Sequence, residues 1–298
     1  MSSSDQTVTW RELLVEATQT FRTAGIEQPA MDARRVVEQA SGAAPSELLL
    51  LLDDPVTERA LGSFDAMVQR RSAGEPLQYV LGAWSFRSLD LMVDSRVLIP
   101  RPETEAVVEI ALAELDLLGA QERTCQVVDL GTGSGAIGLS IAVERVRTQV
   151  LLTDRSEDAL RVAGANIAGL GRPGARVSSR LGSWFDALPN DLLAKVDLMI
   201  SNPPYIPTAV VLPEQVADWE PAGALRSGPD GTDDLRLLID GAGEWLQKDG
   251  VLVCELSPEQ AADMLALAQS RFRDARIEQD LTGKDRALVA RGPDLRSR

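Results

Sequence analysis

The chain contains no histidine. Most hydrolytic triads, cysteine–histidine pairs and catalytic zinc centres rest on an imidazole, so those chemistries are excluded. Cysteine is nearly as scarce. Cys125 and Cys254 sit in separate apolar, strand-like stretches, which predicts two buried, reduced thiols and no metal site. Apolar runs such as Leu48 to Leu52 fall far short of the ~20 residues that a spanning helix needs, so no membrane partner is expected. The opening "MSSSDQTVTW" lacks the basic start and apolar run of a secretory leader, and a cytoplasmic location is the expectation. Positive charge is in deficit: 30 bases against 45 acids give −15 at pH 7. A general binder of nucleic acid needs a basic surface, so direct nucleic-acid binding is not expected.

What is present is a chain of 298 residues, 44% hydrophobic and 25% charged, enough for one large and one small domain. Residues 1–73 read as a small helical unit. Thr9 and Glu12 form a capping box before Trp10, Leu13, Leu14, Ala17 and Phe21 on one helical face. Ala33, Val36, Val37 and Ala40 mark a second helix ending near Gly42. A short leucine-rich helix follows Ser46, and Leu61, Phe64, Met67 and Val68 mark another ending near Gly74. Residues 74–103 read as a connector. Within it Leu89, Leu91 and Val93 alternate with Asp90, Met92 and Asp94, as in a hairpin strand. It ends in "IPRPETE", with a helix starting near Thr104.

From 104 to 298 strands and helices alternate. "QVVDL", "QVLLTD", "ARVSSRLGSW", "VDLMIS" and "GVLVCEL" are five strands, with helices from about Ala136 and from Ser156 to about Gly169. Ser257, Pro258 and Gln260 open a further helix with a capping box and a first-turn proline. "ARIEQDL" and "RALVAR", joined by "TGKD", form a final hairpin. The pattern predicts an α/β fold with a doubly wound, mostly parallel seven-stranded sheet, whose ligand sits at the carboxyl ends of the strands.

Four stretches at those ends carry chemistry. "GTGSG" (Gly131, Thr132, Gly133, Ser134, Gly135) leaves the first strand and opens a helix, so its backbone turns tightly and approaches a ligand closely. The spacing differs from the dinucleotide fingerprint. Asp129 just before it would repel a pyrophosphate and suits a cationic or amino-bearing ligand. Asp154 lies 23 residues past Gly131, near the spacing of a carboxylate that grips ribose hydroxyls. A helix cap before "RSEDAL" is the plainer role for it. A nucleoside without phosphates fits both signals. Trp184 or Phe185 in "GSWF" could cover an adenine face or pack in the core. Finally, Asn202, Pro203, Pro204 and Tyr205 end the fourth strand in a turn that is rigid and poor in donors.

That last motif resembles the (D/N)-P-P-(Y/F/W) motif of S-adenosylmethionine-dependent enzymes that methylate nitrogens in planar, conjugated groups. The nitrogen lone pair of such a group is delocalised. Two fixed acceptors, the Asn202 side-chain oxygen and the Pro203 carbonyl, can orient it and favour its pyramidal, reactive form, with Tyr205 as a wall. Attack on a sulfonium methyl leaves a strongly acidic protonated amide that water can deprotonate, so no histidine is needed. Together "GEPLQYVLGAWSF", "VLIPRPETE", "VVDLGTGSGAIGLSIA", "SNPPYIP", "WEPAGAL", "DGTDDLR" and "DLTGKDRALVA" resemble the peptide chain release factor glutamine methyltransferase family. The resemblance implies a class I, Rossmann-like methyltransferase fold with an amino-terminal domain that helps dock the release factor. It implies methyl transfer from S-adenosylmethionine, without metal, to the glutamine amide of the Gly-Gly-Gln loop in class 1 release factors. By the same resemblance Gly131 to Gly135, Asp154, Trp184 and Asn202 line the donor site. Asn202, Pro203, Pro204 and Tyr205 hold the glutamine, with Asn202, Pro203 and Tyr205 as the catalytic set. Ser257, Ser227 and Thr232 depart from residues common in the family, none of them at a donor or amide contact.

Two other readings stay open. One is an amino-methyltransferase on another nitrogen, such as DNA adenine or a different protein's glutamine. The other is a non-catalytic binder of S-adenosylmethionine. A dinucleotide-dependent dehydrogenase would need another glycine spacing and has no use for "NPPY".

Overall fold

The structure, a computed structural model, describes residues 8–294. The stretch read for a leader lies mostly outside the described residues. The chain forms two compact units. The first holds the described residues through Ala83, together with Glu214–Trp219; the second holds Trp84–Pro213 and the residues from Glu220 onward.

The first unit contains helices α1 (Trp10–Thr23), α2 (Pro29–Ser41), α3 (Leu48–Leu51), α4 (Glu58–Ser72) and α5 (Leu77–Leu81). α1 starts where the sequence predicts. Thr9 accepts from the Glu12 amide, and the Glu12 carboxylate accepts from the Thr9 amide at 2.8 Å. The apolar faces of these helices meet in a core that includes Leu13, Phe21, Val36, Leu48, Phe64 and Val80. Arg71, itself buried, donates to Asp32 at 2.8 Å and to the Glu75 carbonyl at 2.9 Å, so its charge is paired where water is excluded.

The second unit opens on a hairpin, β1 (Ala83–Phe86) and β2 (Leu89–Met92), followed by helix α6 (Pro102–Leu117). α6 begins two residues before Thr104 because Pro102 takes the first helical position, where a missing N–H costs nothing. Then come β3 (Cys125–Leu130), α7 (Ala136–Glu144), β4 (Thr148–Asp154), α8 (Glu157–Gly169), β5 (Val177–Leu181) and β6 (Val196–Ser201). After a short helix, α9 (Glu214–Ala217), which groups with the first unit, follow α10 (Asp233–Trp245), β7 (Leu246–Glu255), α11 (Ala261–Gln269), β8 (Phe272–Gln279) and β9 (Asp285–Pro293). The sequence reading did not anticipate α10, although Leu235, Leu238, Ile239, Ala242 and Trp245 are all buried at helical spacing.

The seven strands run in the order β5-β4-β3-β6-β7-β9-β8. The first five pair in parallel, and β9 pairs antiparallel with β7 and β8. Winding reverses between β3 and β6, which puts the switch point at the ends of those two strands. β3 and β6 are buried on both faces because helices cover both sides. Val128, Leu130, Met199, Leu252 and Cys254 join one core with Leu235, Leu238 and Met264 of α10 and α11, while α6 packs on β6, β7 and β9. Both cysteines are buried, free thiols, and burial pushes the Cys254 thiol up to about 12. Among the described residues no helix is long and apolar enough to cross a membrane.

Candidate active site

A cleft partly open to solvent lies at the carboxyl ends of β3, β4, β5 and β6. Its walls include Gly131, Gly133, Asp154, Trp184, Asn202 and Pro204. Four strand ends far apart in sequence therefore meet in one cavity, as the fold requires. The remaining predicted residues are close by but do not line it. Thr132, Ser134, Gly135 and Pro203 are buried, and Tyr205 packs against the core.

β3 leaves the sheet at Gly131, whose φ is +73°. The Gly131 and Thr132 amides both donate to the Thr153 carbonyl at 2.9 Å, which ties the loop to β4. A Cβ on Gly131 would lie 3.2 Å from Cζ3 of Trp184. Only glycine meets both the left-handed backbone and the approaching ring. Asp129 does not face the cleft, contrary to its expected role beside a cationic ligand. It is wholly buried beneath the loop, where its Oδ2 accepts from Thr132 Oγ1 at 2.6 Å and from the Gly138 amide at 2.9 Å. Its Oδ1 is buried without a partner. Burial pushes the carboxyl up to about 6, against the pull of those two donors. Asp129 thus joins the loop to the start of α7.

Asp154 ends β4 and stands in the cleft wall. Its Oδ2 accepts from the Gly133 amide at 2.9 Å and its Oδ1 from the Ser156 amide at 2.8 Å. The cap of α8 is Ser156, whose Oγ accepts from the Ala159 amide at 3.1 Å. Asp154 is therefore not that cap, and each of its oxygens keeps a lone pair for a ligand hydroxyl.

The two aromatics of "GSWF" diverge. Trp184 lines the cleft, and its φ of +45° is unusual for a large side chain. Its Nε1 donates to Asp234 Oδ1 at 3.0 Å, which fixes the ring. Phe185 instead presses on α10, where a Cβ on Gly241 would fall 2.4 Å from its ring. The Asp234 amide donates to Ser227 Oγ at 2.8 Å. Ser227 therefore has a local task in seating the start of α10.

Asn202 follows β6. Its Nδ2 donates to Thr104 Oγ1 at 3.2 Å, and Thr104 Oγ1 donates to Glu255 Oε2 at 2.7 Å. The other oxygen of Glu255 accepts from the Tyr205 hydroxyl at 3.3 Å. Burial pushes the Tyr205 phenol well above its ordinary range, and the neighbouring Glu255 carboxylate adds to it. Gln260 Nε2 donates at 2.9 Å to the carbonyls of both Tyr205 and Gly231. The capping box of Ser257 and Gln260, read from the sequence, is therefore also a brace for the proline turn. A second brace joins "IPRPETE" to "WEPAGAL": Arg101 pairs with buried Glu220 at 2.5 Å, and Pro221, Gly223 and Ala224 beyond it line the cleft.

Sequence reasoning missed Thr104, Glu255, Asp234 and the cleft-lining segment Arg96–Leu98. One signal was available. Glu255 is next to last in the predicted strand "GVLVCEL", and a carboxylate at the carboxyl end of a strand beside the switch point is a functional candidate. Asn166 was missed as well. From α8 it donates through Nδ2 to the carbonyls of Met92 and Ser134, so it clamps hairpin and glycine loop together.

Residues 12–82 match the PrmC N-terminal domain, and residues 112–216 match the methyltransferase small domain. A release factor glutamine methyltransferase of Moorella thermoacetica is 39% identical over 95% of this chain and 98% of its own length. One of Xylella fastidiosa is 45% identical over 81% of this chain and 85% of its own length. Among solved structures, the catalytic domain of hMettl16, in complex with the MAT2A 3′UTR hairpin 6, aligns with a TM-score of 0.52. It is 14% identical and covers 78% of this chain and 81% of its own, a likeness of fold.

Proposed function

The chain belongs to the release factor glutamine methyltransferase family, and on that premise we propose that it methylates the side-chain amide nitrogen of a glutamine in a release factor. The donor in this reading is S-adenosylmethionine, no metal takes part, and the glutamine is that of the Gly-Gly-Gln loop of class 1 release factors. The helical unit docks the release factor, and the reaction belongs in the cytoplasm.

One observation carries the reading: Asn202 shares a cleft with Asp154 and Trp184. A handle for an amide and handles for a nucleoside thus open into the same space. The lining suits such a donor. Trp184 offers a flat apolar face, Asp154 offers free lone pairs to ribose hydroxyls, and Gly131 and Gly133 leave backbone uncovered. Bound there, the donor supplies an electrophilic methyl on a sulfonium. Asn202 Oδ1 and the Pro203 carbonyl accept the two N–H groups of the glutamine amide and aim its nitrogen. Tyr205 backs the turn. Held in this way the nitrogen is oriented before reaction, which is the main contribution a protein makes to a displacement of this kind. The amide proton leaves to water, so the absence of histidine is no obstacle.

The test uses purified protein, tritiated S-adenosylmethionine, and a release factor beside its Gly-Gly-Gln to Gly-Gly-Ala variant. Label on the first and none on the second is the expected result. Label on both would move the target to another residue. Label on neither, with donor binding intact, would favour a binding protein over an enzyme.

A further inference from the structure

We propose that Glu255 is a positioning residue for the amide methylation: through Thr104 it fixes which end of the Asn202 side chain faces the substrate. The inference rests on the role given above to Asn202.

Hydrogen-bond direction sets the orientation of the Asn202 amide. An ionised carboxylate only accepts. Thr104 has one hydroxyl proton, and at 2.7 Å it is committed to Glu255 Oε2. Thr104 Oγ1 can then only accept from Asn202, so the amide must present Nδ2 to it, at 3.2 Å. Oδ1 is thereby turned away from Thr104 and left for the substrate amide. A neutral carboxyl could reverse the chain, donating to Thr104 and letting the Thr104 proton point at Oδ1. An amide of either orientation fits the same space, so packing alone does not choose between them. Glu255 also accepts from the Tyr205 hydroxyl at 3.3 Å, so one buried carboxylate anchors both ends of the "NPPY" turn. Thr104 and Glu255 are 3% and 1% exposed, and neither lines the cleft, so they act through Asn202.

Four groups face the carboxylate: Thr104 and Glu103 from α6, Tyr205 from the turn, and Arg286 from β9. Burial pushes Glu255 up to about 7; the hydrogen bonds of Thr104 and Tyr205 and the charge of Arg286 oppose this, and Glu103 adds to it. The aligned, ionised form therefore prevails above that value.

The experiment measures steady-state methylation of a release factor by the full chain, with donor binding read by calorimetry. Glu255→Gln and Thr104→Val are each expected to lower kcat by ~10-fold or more while KM for the release factor and Kd for the donor move by less than ~2-fold. The double variant should be no worse than the poorer single one, because both break one chain. Thr104→Ser, which keeps the hydroxyl, should recover most of the loss. The wild-type kcat should fall as pH drops through about 7, and the Glu255→Gln profile should be flat there. If Asn202→Ala destroys activity but Glu255→Gln and Thr104→Val turn over normally, Glu255 does not position Asn202. Additive losses in the double variant would overturn the proposal too, and so would an unchanged pH limb in Glu255→Gln. If Asn202→Ala itself turns over normally, the reading of Asn202 fails instead. Should Glu255→Gln not fold, the Thr104→Val and Thr104→Ser pair carries the test.

Discussion

On the side of β3 and β4 the cleft is shaped by the backbone of the glycine loop; on the side of β6 it is shaped by Asn202 and the side chains that hold it from behind. The glycine loop leaves β3, hangs on the Thr153 carbonyl, and is pinned from beyond by Asp154. Its ties to Thr153 and Asp154 lie within one strand–helix–strand repeat. The other half depends on Asn202, Thr104, Glu255 and Tyr205, drawn from three elements. Backbone geometry survives most side-chain changes, whereas a side-chain chain of donors fails at any link. The first half should tolerate substitution at its periphery and fail in donor affinity. The second should fail in rate.

The largest expected effect sharpens that contrast. Asn202→Ala should lower kcat by ~100-fold or more, as loss of a preorganised polar contact does in other active sites, with donor affinity nearly unchanged. Equilibrium binding beside turnover would show it, and equal losses in both would erase the distinction between the halves. Asp154→Ala should do the reverse. Losing an ionised acceptor costs about 1.5–3 kcal/mol, or ~10–100-fold in donor Kd, with kcat at saturating donor less affected. Next come the diverging aromatics. Phe185→Ala should lower stability by ~1–3 kcal/mol, less than a fully buried phenylalanine, and leave donor affinity intact. Trp184→Ala should weaken donor binding by several-fold instead. Denaturant midpoints and calorimetry separate the two, and a shared profile would mean that both rings are core.

The smallest effect concerns stability against pH. Glu255 is raised in the folded state from 4.5 to about 7, so it favours the folded form most below its unfolded value. That contribution disappears as pH rises through about 7. The Tm of Glu255→Gln relative to wild type should therefore climb with pH across this window, as scanning calorimetry would register. A constant difference would place the ionisation elsewhere.

Much of the first half was legible because its signals are local. A strand ending in "GTGSG", a second ending in Asp154 and a third followed by "GSWF" can each be read without knowing what lies beside them. The "NPPY" turn was legible for the same reason. What failed were statements about direction. Asp129 sits on the strand face that points under the loop rather than into the cleft, and no spacing rule distinguished these outcomes. Trp184 and Phe185 are adjacent, and only the left-handed backbone at Trp184 and the gap at Gly241 send them opposite ways.

The sequence by itself determined the elements and their order, because hydrophobic period, caps and proline or glycine punctuation act over a few residues. The Thr9–Glu12 and Ser257–Gln260 boxes and the parallel strands follow from it. Only the tertiary structure decided that Thr104 would stand between Asn202 and Glu255. Those residues are 98 and 151 positions from Thr104 along the chain. A hydrogen bond needs its atoms within about 3 Å, and nothing but the reversal of winding between β3 and β6, with α6 packed across β6 and β7, brings them there.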